Sequence, residues 1–214
     1  MGIHERKERE KERRRQQILV SAKRVFSDRG FSRTTMEDIA NEAELSPGTL
    51  YLYFKNKEEL FASLSLRIFQ YMIIRLEEVS NDIKMNPREK LEALKLAMFD
   101  VYDFDTASIT NMFHLQSSEA LKNLSSQVLA EFNTLSTTCM GLLTSIFKEG
   151  CAKGVFIDSP PEALADTFWS LFSGVVLWEA SKTIMDGEKD SLKESLNFSF
   201  FLFNRGILVD HGES

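Results

Sequence analysis

Apolar residues recur along this chain at the three- and four-residue intervals of an α-helix, and no strand-like alternation of useful length interrupts them. Residues 4–15 (HERKEREKERRR) have no apolar face and read as a solvated helix extension. From Ile18 the pattern changes: Ile18, Leu19, Ala22, Val25 and Phe26 mark one face of a helix. Gly30 falls where its C-cap belongs, and Phe31 follows as the apolar residue that packs back. Thr34 and Thr35 each stand three residues before an acid, Glu37 and Asp38, which is the spacing of a capping box. The helix they open has Met36, Ile39, Ala40 and Ala43 as its inner face, and a helix of about two turns is not stable alone. It stops at Glu44-Leu45, and another begins almost at once. Ser46 is a good N-cap, and Pro47 takes the first helical position, where its missing N–H costs nothing. The pattern carries this helix from Ser46 to Phe54, with Leu50 and Phe54 inward and Thr49, Tyr51 and Tyr53 on or near the outer surface.

Beyond Lys55-Asn56-Lys57 everything reads as more helix. One runs through Leu60, Phe61, Leu64 and Phe69 to near Ser80, and Pro87 opens another that ends near Asp103–Asp105. A short segment spans Thr106–His114, and a long one Ser117–Lys148 that Gly150 or Gly154 ends. Pro160-Pro161 starts the next, to about Asp186, and Lys189–Gly206 supplies the last. The penultimate helix carries two apolar stripes: Leu164, Phe168, Leu171, Phe172 and Val175 on one side; Trp169, Ser173, Val176 and Ala180 on another. In the last helix Leu192, Leu196, Ser199 and Phe203 line one side, with Phe198, Phe201 and Leu202 off it. A helix apolar on two faces must bury both, within its own subunit or against a second. Trp169, Val176, Phe198, Phe201 and Leu202 are therefore candidates for a dimer interface.

With only four prolines and ten glycines among 214 residues, the composition favours long helices and an all-α fold. No apolar run approaches the roughly 18 residues of a membrane span, and Met1–Arg15 is too charged for a secretory signal, so a cytoplasmic protein is expected. Cys139 and Cys151 make no disulfide framework: if one continuous helix carries both, twelve residues put them about 18 Å apart, too far for a bond within the chain. Net charge is −6, which is unusual for a nucleic-acid binder until it is divided. Residues 1–57 hold thirteen basic and nine acidic side chains, net +4, against thirteen and twenty-three in the rest, net −10.

A short helix, a tight turn and a capped second helix with small residues at its start fit the major groove, which such a helix enters N-terminus first. Pro47 and Gly48 lack bulk there, and Thr49 offers both a hydroxyl and a methyl to base edges. Tyr51, Tyr53, Lys55 and Lys57 are long enough for flanking phosphates, and Thr35 offers a hydroxyl at a helix N-terminus. Residues 34–61, TTMEDIANEAELSPGTLYLYFKNKEELF, resemble the signature of the TetR (TetR/AcrR) family of bacterial transcriptional regulators, T-(T/S)-x-x-x-I-A…S-x-G-x-(L/I)-Y-x-(Y/H)-F-x-(N/S)-K-x-x-L. The resemblance implies an all-helical homodimer that binds double-stranded operator DNA and dimerises through its last two helices. It also implies DNA contacts at Thr35, Gly48, Thr49, Tyr51, Tyr53 and Lys57, with Pro47 beside them; Ser46 at the helix start and Lys55 within reach of phosphate complete the candidate set. Glu44 departs from the pattern, which often has glycine in the turn; a left-handed non-glycine there costs about 1 kcal/mol.

The expected division is a charged extension over 1–15, a helix-turn-helix domain over 16–62 with its motif at 35–54, and a helical effector-binding and dimerisation domain over 63–214. Aromatic residues concentrate in the last of these, and Phe99, Tyr102, Phe104, Met112, Phe113, His114, Trp169 and Phe172 are candidates for the wall of a pocket taking a hydrophobic or aromatic effector. Three scattered histidines, His4, His114 and His211, with no metal spacing and no phosphate loop, leave no catalytic or metal site to name and no cofactor to expect. The expected function is a ligand-responsive repressor, with no membrane partner. An activator, or a helical interaction or membrane-surface module without operator binding, remains as the alternative.

Overall fold

The computed structural model describes residues 3–116, 119–186 and 191–209. Ser117, Lys189 and His211, which figure in the sequence reading, lie outside them. Among the described residues the chain is helical: α1 (Ile3–Arg29), α2 (Met36–Glu42), α3 (Pro47–Tyr51), α4 (Lys57–Asn81), α5 (Pro87–Phe104), α6 (Thr106–Gln116), α7 (Ser126–Ala152), α8 (Pro161–Asp186) and α9 (Leu192–Ile207). A 3-10 turn over Glu119–Asn123 precedes α7, so the expected long helix from Ser117 is two pieces. The extension 4–15 is continuous with α1 rather than a segment of its own.

The chain divides into two compact units: Met1–Arg67 with Leu115–Phe132, and Ile68–His114 with Asn133–Ser214. The first therefore gathers residues from both sides of the expected boundary at 62. Its core joins Ile18, Leu19, Ala22 and Phe26 of α1, Met36 and Ile39 of α2, Leu50 and Phe54 around α3, and Leu60 and Phe61 of α4. Gly30 ends α1 at φ 75, where a side chain would be strained, and its N–H reaches the Phe26 carbonyl at 2.9 Å. The chain then doubles back so that the Phe31 ring lies 5.7 Å from Phe26 and 4.6 Å from Phe61.

In the second unit the helices close on phenylalanine rings. Phe168 of α8 stacks on Phe200 of α9 at 5.0 Å, and Phe147 of α7 meets Phe156, Phe168 and Phe203 at 5.8–6.0 Å. Asn86 and Glu89 form the capping box of α5, followed by Pro87 at the first helical position. Buried Lys90 gives its ammonium to the Ser80 carbonyl at 2.9 Å and to Glu149 at 2.7 Å, tying α4, α5 and α7 together. Glu179, also buried, accepts from Ser195 at 2.6 Å, Ser191 at 2.9 Å and Lys182 at 2.8 Å, which joins α8 to the start of α9. Burial pushes its carboxyl up, but Lys182 and the two hydroxyls outweigh burial and hold it below the usual carboxylate range.

Both cysteines are free and lie on α7. Burial alone pushes the Cys139 thiol up to about 12, which leaves it unreactive at neutral pH. Gly150 faces the Phe156 ring so closely that an added Cβ would sit 2.0 Å from a ring carbon. The ring is wedged against Phe147 and is 2% exposed, so it has no room to retreat. Gly150→Ala is expected to destabilise the second unit by about 1–3 kcal/mol through overpacking, read as a lowered thermal midpoint.

Candidate DNA-reading site

The site is built on two short helices that the core holds from beneath. Thr35 caps α2: its hydroxyl oxygen accepts the Asp38 N–H at 3.1 Å, while the Thr35 N–H and O–H both donate to Asp38 Oδ2, at 2.9 and 2.7 Å. These bonds from Thr35, with Arg29 beside them at 2.6 Å, hold the Asp38 carboxyl below its ordinary range. After α2 the chain turns through Glu44 at φ 55, so the turn keeps its left-handed residue without a glycine. Leu45 N–H returns to the Ala40 carbonyl at 2.8 Å and closes the turn.

Ser46 then caps α3, accepting the Thr49 N–H at 3.1 Å, and its Oγ lies 2.8 Å from Thr49 Oγ1. Leu50 and Phe54 are buried, while Ser46, Pro47, Gly48, Tyr51, Leu52 and Lys55 are exposed and Thr49 is half-buried. The helix is shorter than the expected Ser46–Phe54. Leu52 N–H bonds Thr49 at 3.2 Å and Tyr53 N–H bonds Leu50 at 3.0 Å, the tighter three-residue pattern that ends a helix.

Three expected DNA contacts are differently placed. Lys57 turns inward: its ammonium donates to the carbonyls of Phe31 and Thr34, each at 2.9 Å, and lies 4.6 Å above the Phe31 ring. It serves two part-buried carbonyls where the sequence suggested a phosphate. Thr35 has its hydroxyl hydrogen engaged by Asp38, so its expected phosphate role conflicts with its capping role. Tyr53 is half-buried and packs on the core rather than standing on the outer surface.

The sequence reading missed Glu59. Its side chain is buried; one oxygen accepts the Lys55 N–H at 2.6 Å and the other accepts the Ser125 hydroxyl. Asn56 caps α4 by accepting the Glu59 N–H at 2.8 Å and donates to the Asn123 carbonyl at 3.4 Å. The turn leaving α3 is thus bonded to the residues that open α7. Asn56-x-x-Glu59 has capping-box spacing and was a legible signal, but nothing in the sequence pointed to Ser125, 66 residues on.

Of the expected pocket wall, Phe113, Trp169 and Phe172 come together, with ring centroids 5.4–6.2 Å apart. Tyr102 and Met112 are buried, Phe99 is half-buried 6.5 Å from Phe200, and His114 is exposed. Phe104 is stacked on Tyr71 at 4.2 Å. Among the expected interface residues, Val176 is 1% exposed and so belongs to the core, because the buried line of α8 runs from Phe168 and Phe172 of the first stripe read from sequence across to Val176 of the second. Trp169 is half-buried against Phe113, whereas Phe198, Phe201 and Leu202 of α9, with Trp178 of α8, are exposed.

A capped helix-turn-helix with an exposed outer face, carried on a chain whose second unit is helical, defines the class as a DNA-binding regulator. Residues 18–64 match the family described as bacterial regulatory proteins, tetR family. The chain is 30% identical over 162 residues to the HTH-type transcriptional repressor KstR2 of Mycolicibacterium smegmatis, covering 73% of this chain and 76% of that one. It is 28% identical over 195 residues to the fatty acid metabolism regulator protein of Bacillus subtilis, covering 89% and 94%. The fold is similar to that of FadR from Bacillus subtilis in complex with stearoyl-CoA, with a TM-score of 0.66 at 24% identity over 90% of this chain and 98% of that one. This chain belongs to the tetR family of bacterial regulatory proteins. It is a DNA-binding transcriptional regulator, of a family that binds operator DNA as dimers and responds to small-molecule effectors. No helix among the described residues is long and apolar enough to cross a membrane.

Two outcomes follow from this geometry. At Gly48 an added Cβ would meet only the Ser46 hydroxyl, at 3.9 Å, so the fold itself does not require glycine. Gly48→Ala is expected to stabilise the protein by about 0.5–1 kcal/mol in a thermal melt and yet weaken operator binding in a retardation assay, because the added methyl meets the DNA. For Asp38 the folded pKa lies below the unfolded one, so its stabilisation is present above the ordinary carboxylate range and is lost as pH falls through it, below about pH 4. Asp38→Asn should flatten that acid limb in melts recorded from neutral to acid pH, and an unchanged limb would count against the capping role.

Proposed function

We propose that this regulator is a cytoplasmic repressor that leaves its operator when a hydrophobic effector, acyl or aromatic, binds its second unit, and that it has no enzymatic role. The observation that carries the DNA part is the exposed outer face of α3 above a fully buried Leu50. Ser46, Pro47, Gly48, Thr49, Tyr51 and Lys55 are its contact set, with Tyr53 reduced to whatever its hydroxyl reaches. Supporting the effector part is the trio Phe113, Trp169 and Phe172, an aromatic group joining α6 to α8 in the unit remote in sequence from the DNA-reading helix. The relative named as a repressor supports repression, and the fold neighbour solved with stearoyl-CoA supports a long acyl chain as the first effector to try. That both curated relatives are regulators supports the absence of catalysis. Dimerisation through Phe198, Phe201 and Leu202 gives those exposed side chains a partner and sets two recognition helices about 34 Å apart, one turn of the duplex.

The test is retardation of a duplex from the protein's own promoter region, with and without stearoyl-CoA. Binding is expected to fall steeply with salt, as phosphate contacts require, and the acyl-CoA to lower apparent affinity. A transcription assay on the same duplex separates repression from activation by its sign. Failure to retard any promoter DNA at low salt would sink the reading.

A further inference from the structure

We propose that Leu52 is the specificity-determining residue of this regulator, and that it reads the 5-methyl group of thymine in the major groove. The inference rests on the operator-binding reading above and adds what that surface recognises. At 100° per residue, buried Leu50 marks the inner direction of α3, and Gly48 and the C-cap residue Leu52, whose backbone is still helical at φ −72 and ψ −19, fall opposite it. They are the two outermost positions. Gly48 presents no side chain, so the backbone approaches the groove closely there, and Leu52 stands one turn further along with its side chain 79% exposed.

The polar groups nearby are not on that line. Ser46 and Thr49 are bonded to each other, side chain to side chain and hydroxyl to backbone, and Thr49 is half-buried. Tyr51 projects from one flank, about 100° round the helix from Leu52, where phosphates lie. No side-chain donor or acceptor therefore exists at the outermost positions, and hydrogen-bond readout of a base edge is not available to them. The apolar feature that the major groove offers is the thymine methyl. Part of Leu52 also lines, with Tyr53 and Phe54, a cleft of about 650 Å³ whose other wall includes Arg9 and Lys11 of α1, but most of its surface stays outside. A single exposed leucine is ordinary on a protein surface; its place on the outermost line of a groove-entering helix is what gives it a role.

The experiment uses the full-length protein and duplexes enriched from a random pool by the wild type. Each thymine of the enriched sequence is replaced in turn by deoxyuridine, which removes only the methyl group. At least one replacement in each half-site is expected to weaken wild-type binding about fourfold, the worth of one buried methyl. Leu52→Ala should bind the thymine duplex correspondingly less well and should not distinguish thymine from uracil at that position. Because Leu52 is exposed, this variant should melt as the wild type does, which separates lost reading from lost folding. An enriched sequence with no thymine-to-uracil effect, or a Leu52→Ala protein that keeps the full preference, overturns this inference alone. A pool that enriches nothing overturns the operator reading and takes the inference with it.

Discussion

A helix of five residues cannot hold its own shape in water, so everything the recognition helix does depends on what fixes it from outside. Two apolar anchors, Leu50 and Phe54, sink into a core assembled from α1, α2 and α4, and they set which way the helix faces. At its start the Ser46 cap and Pro47 supply the backbone geometry that so short a helix cannot impose on itself. Beyond its end the α3–α4 turn is held by polar groups rather than by packing: the Lys55 N–H by Glu59, and the neighbouring Phe31–Thr34 carbonyls by Lys57.

Those two charged residues explain how a small unit tolerates an irregular backbone next to its core. Phe31 packs between Phe26 and Phe61, and the segment after it leaves carbonyls that no helix or strand satisfies. The Phe31 carbonyl also accepts the Thr34 N–H at 3.3 Å, and one ammonium that adds a bond to it, serves the Thr34 carbonyl and covers a ring face is well matched to the site. Lys57, half-buried at the start of α4, is thereby engaged with these carbonyls. Glu59 makes the converse arrangement: a buried carboxylate serving an N–H and a hydroxyl, with one bond on each side of a chain crossing.

Local chemistry was legible in the sequence wherever neighbours in the chain decide it. The Thr35–Asp38 and Asn86–Glu89 boxes, Pro47, Pro87 and Gly30 all announce helix ends because capping acts within four residues. The left-handed turn residue at Glu44 was legible too, from the place where glycine is missing. What was not legible depends on distant partners. Lys57 looks like a surface cation until Phe31, 26 residues earlier, is seen beneath it, and Val176 looks like a spare apolar face until α8 is packed. Helical periodicity locates a stripe only to within one residue's rotation. That is why two stripes were read on α8 where the fold buries one line that takes residues from both. The exposed set on α9, by contrast, was clear because Phe198, Phe201 and Leu202 lie well away from the buried Leu196, Phe200 and Phe203.

Effector control requires a free-energy difference between two states that both sites sense. Helices α4 and α7 each run unbroken from residues of the first unit into residues of the second. Their starting ends meet at the Glu59–Ser125 bond, and the same carboxylate holds the N–H of Lys55, the first residue after Phe54. Ser125 also caps α7, its carbonyl accepting the Leu129 N–H at 3.0 Å. The Glu59–Ser125 bond is directional, and a hydrogen bond responds to displacement more sharply than apolar packing does. The recognition helix is five residues long and is anchored chiefly through Leu50 and Phe54. Its shortness makes close approach to bases possible, and the same shortness leaves its orientation to be set from elsewhere in the chain.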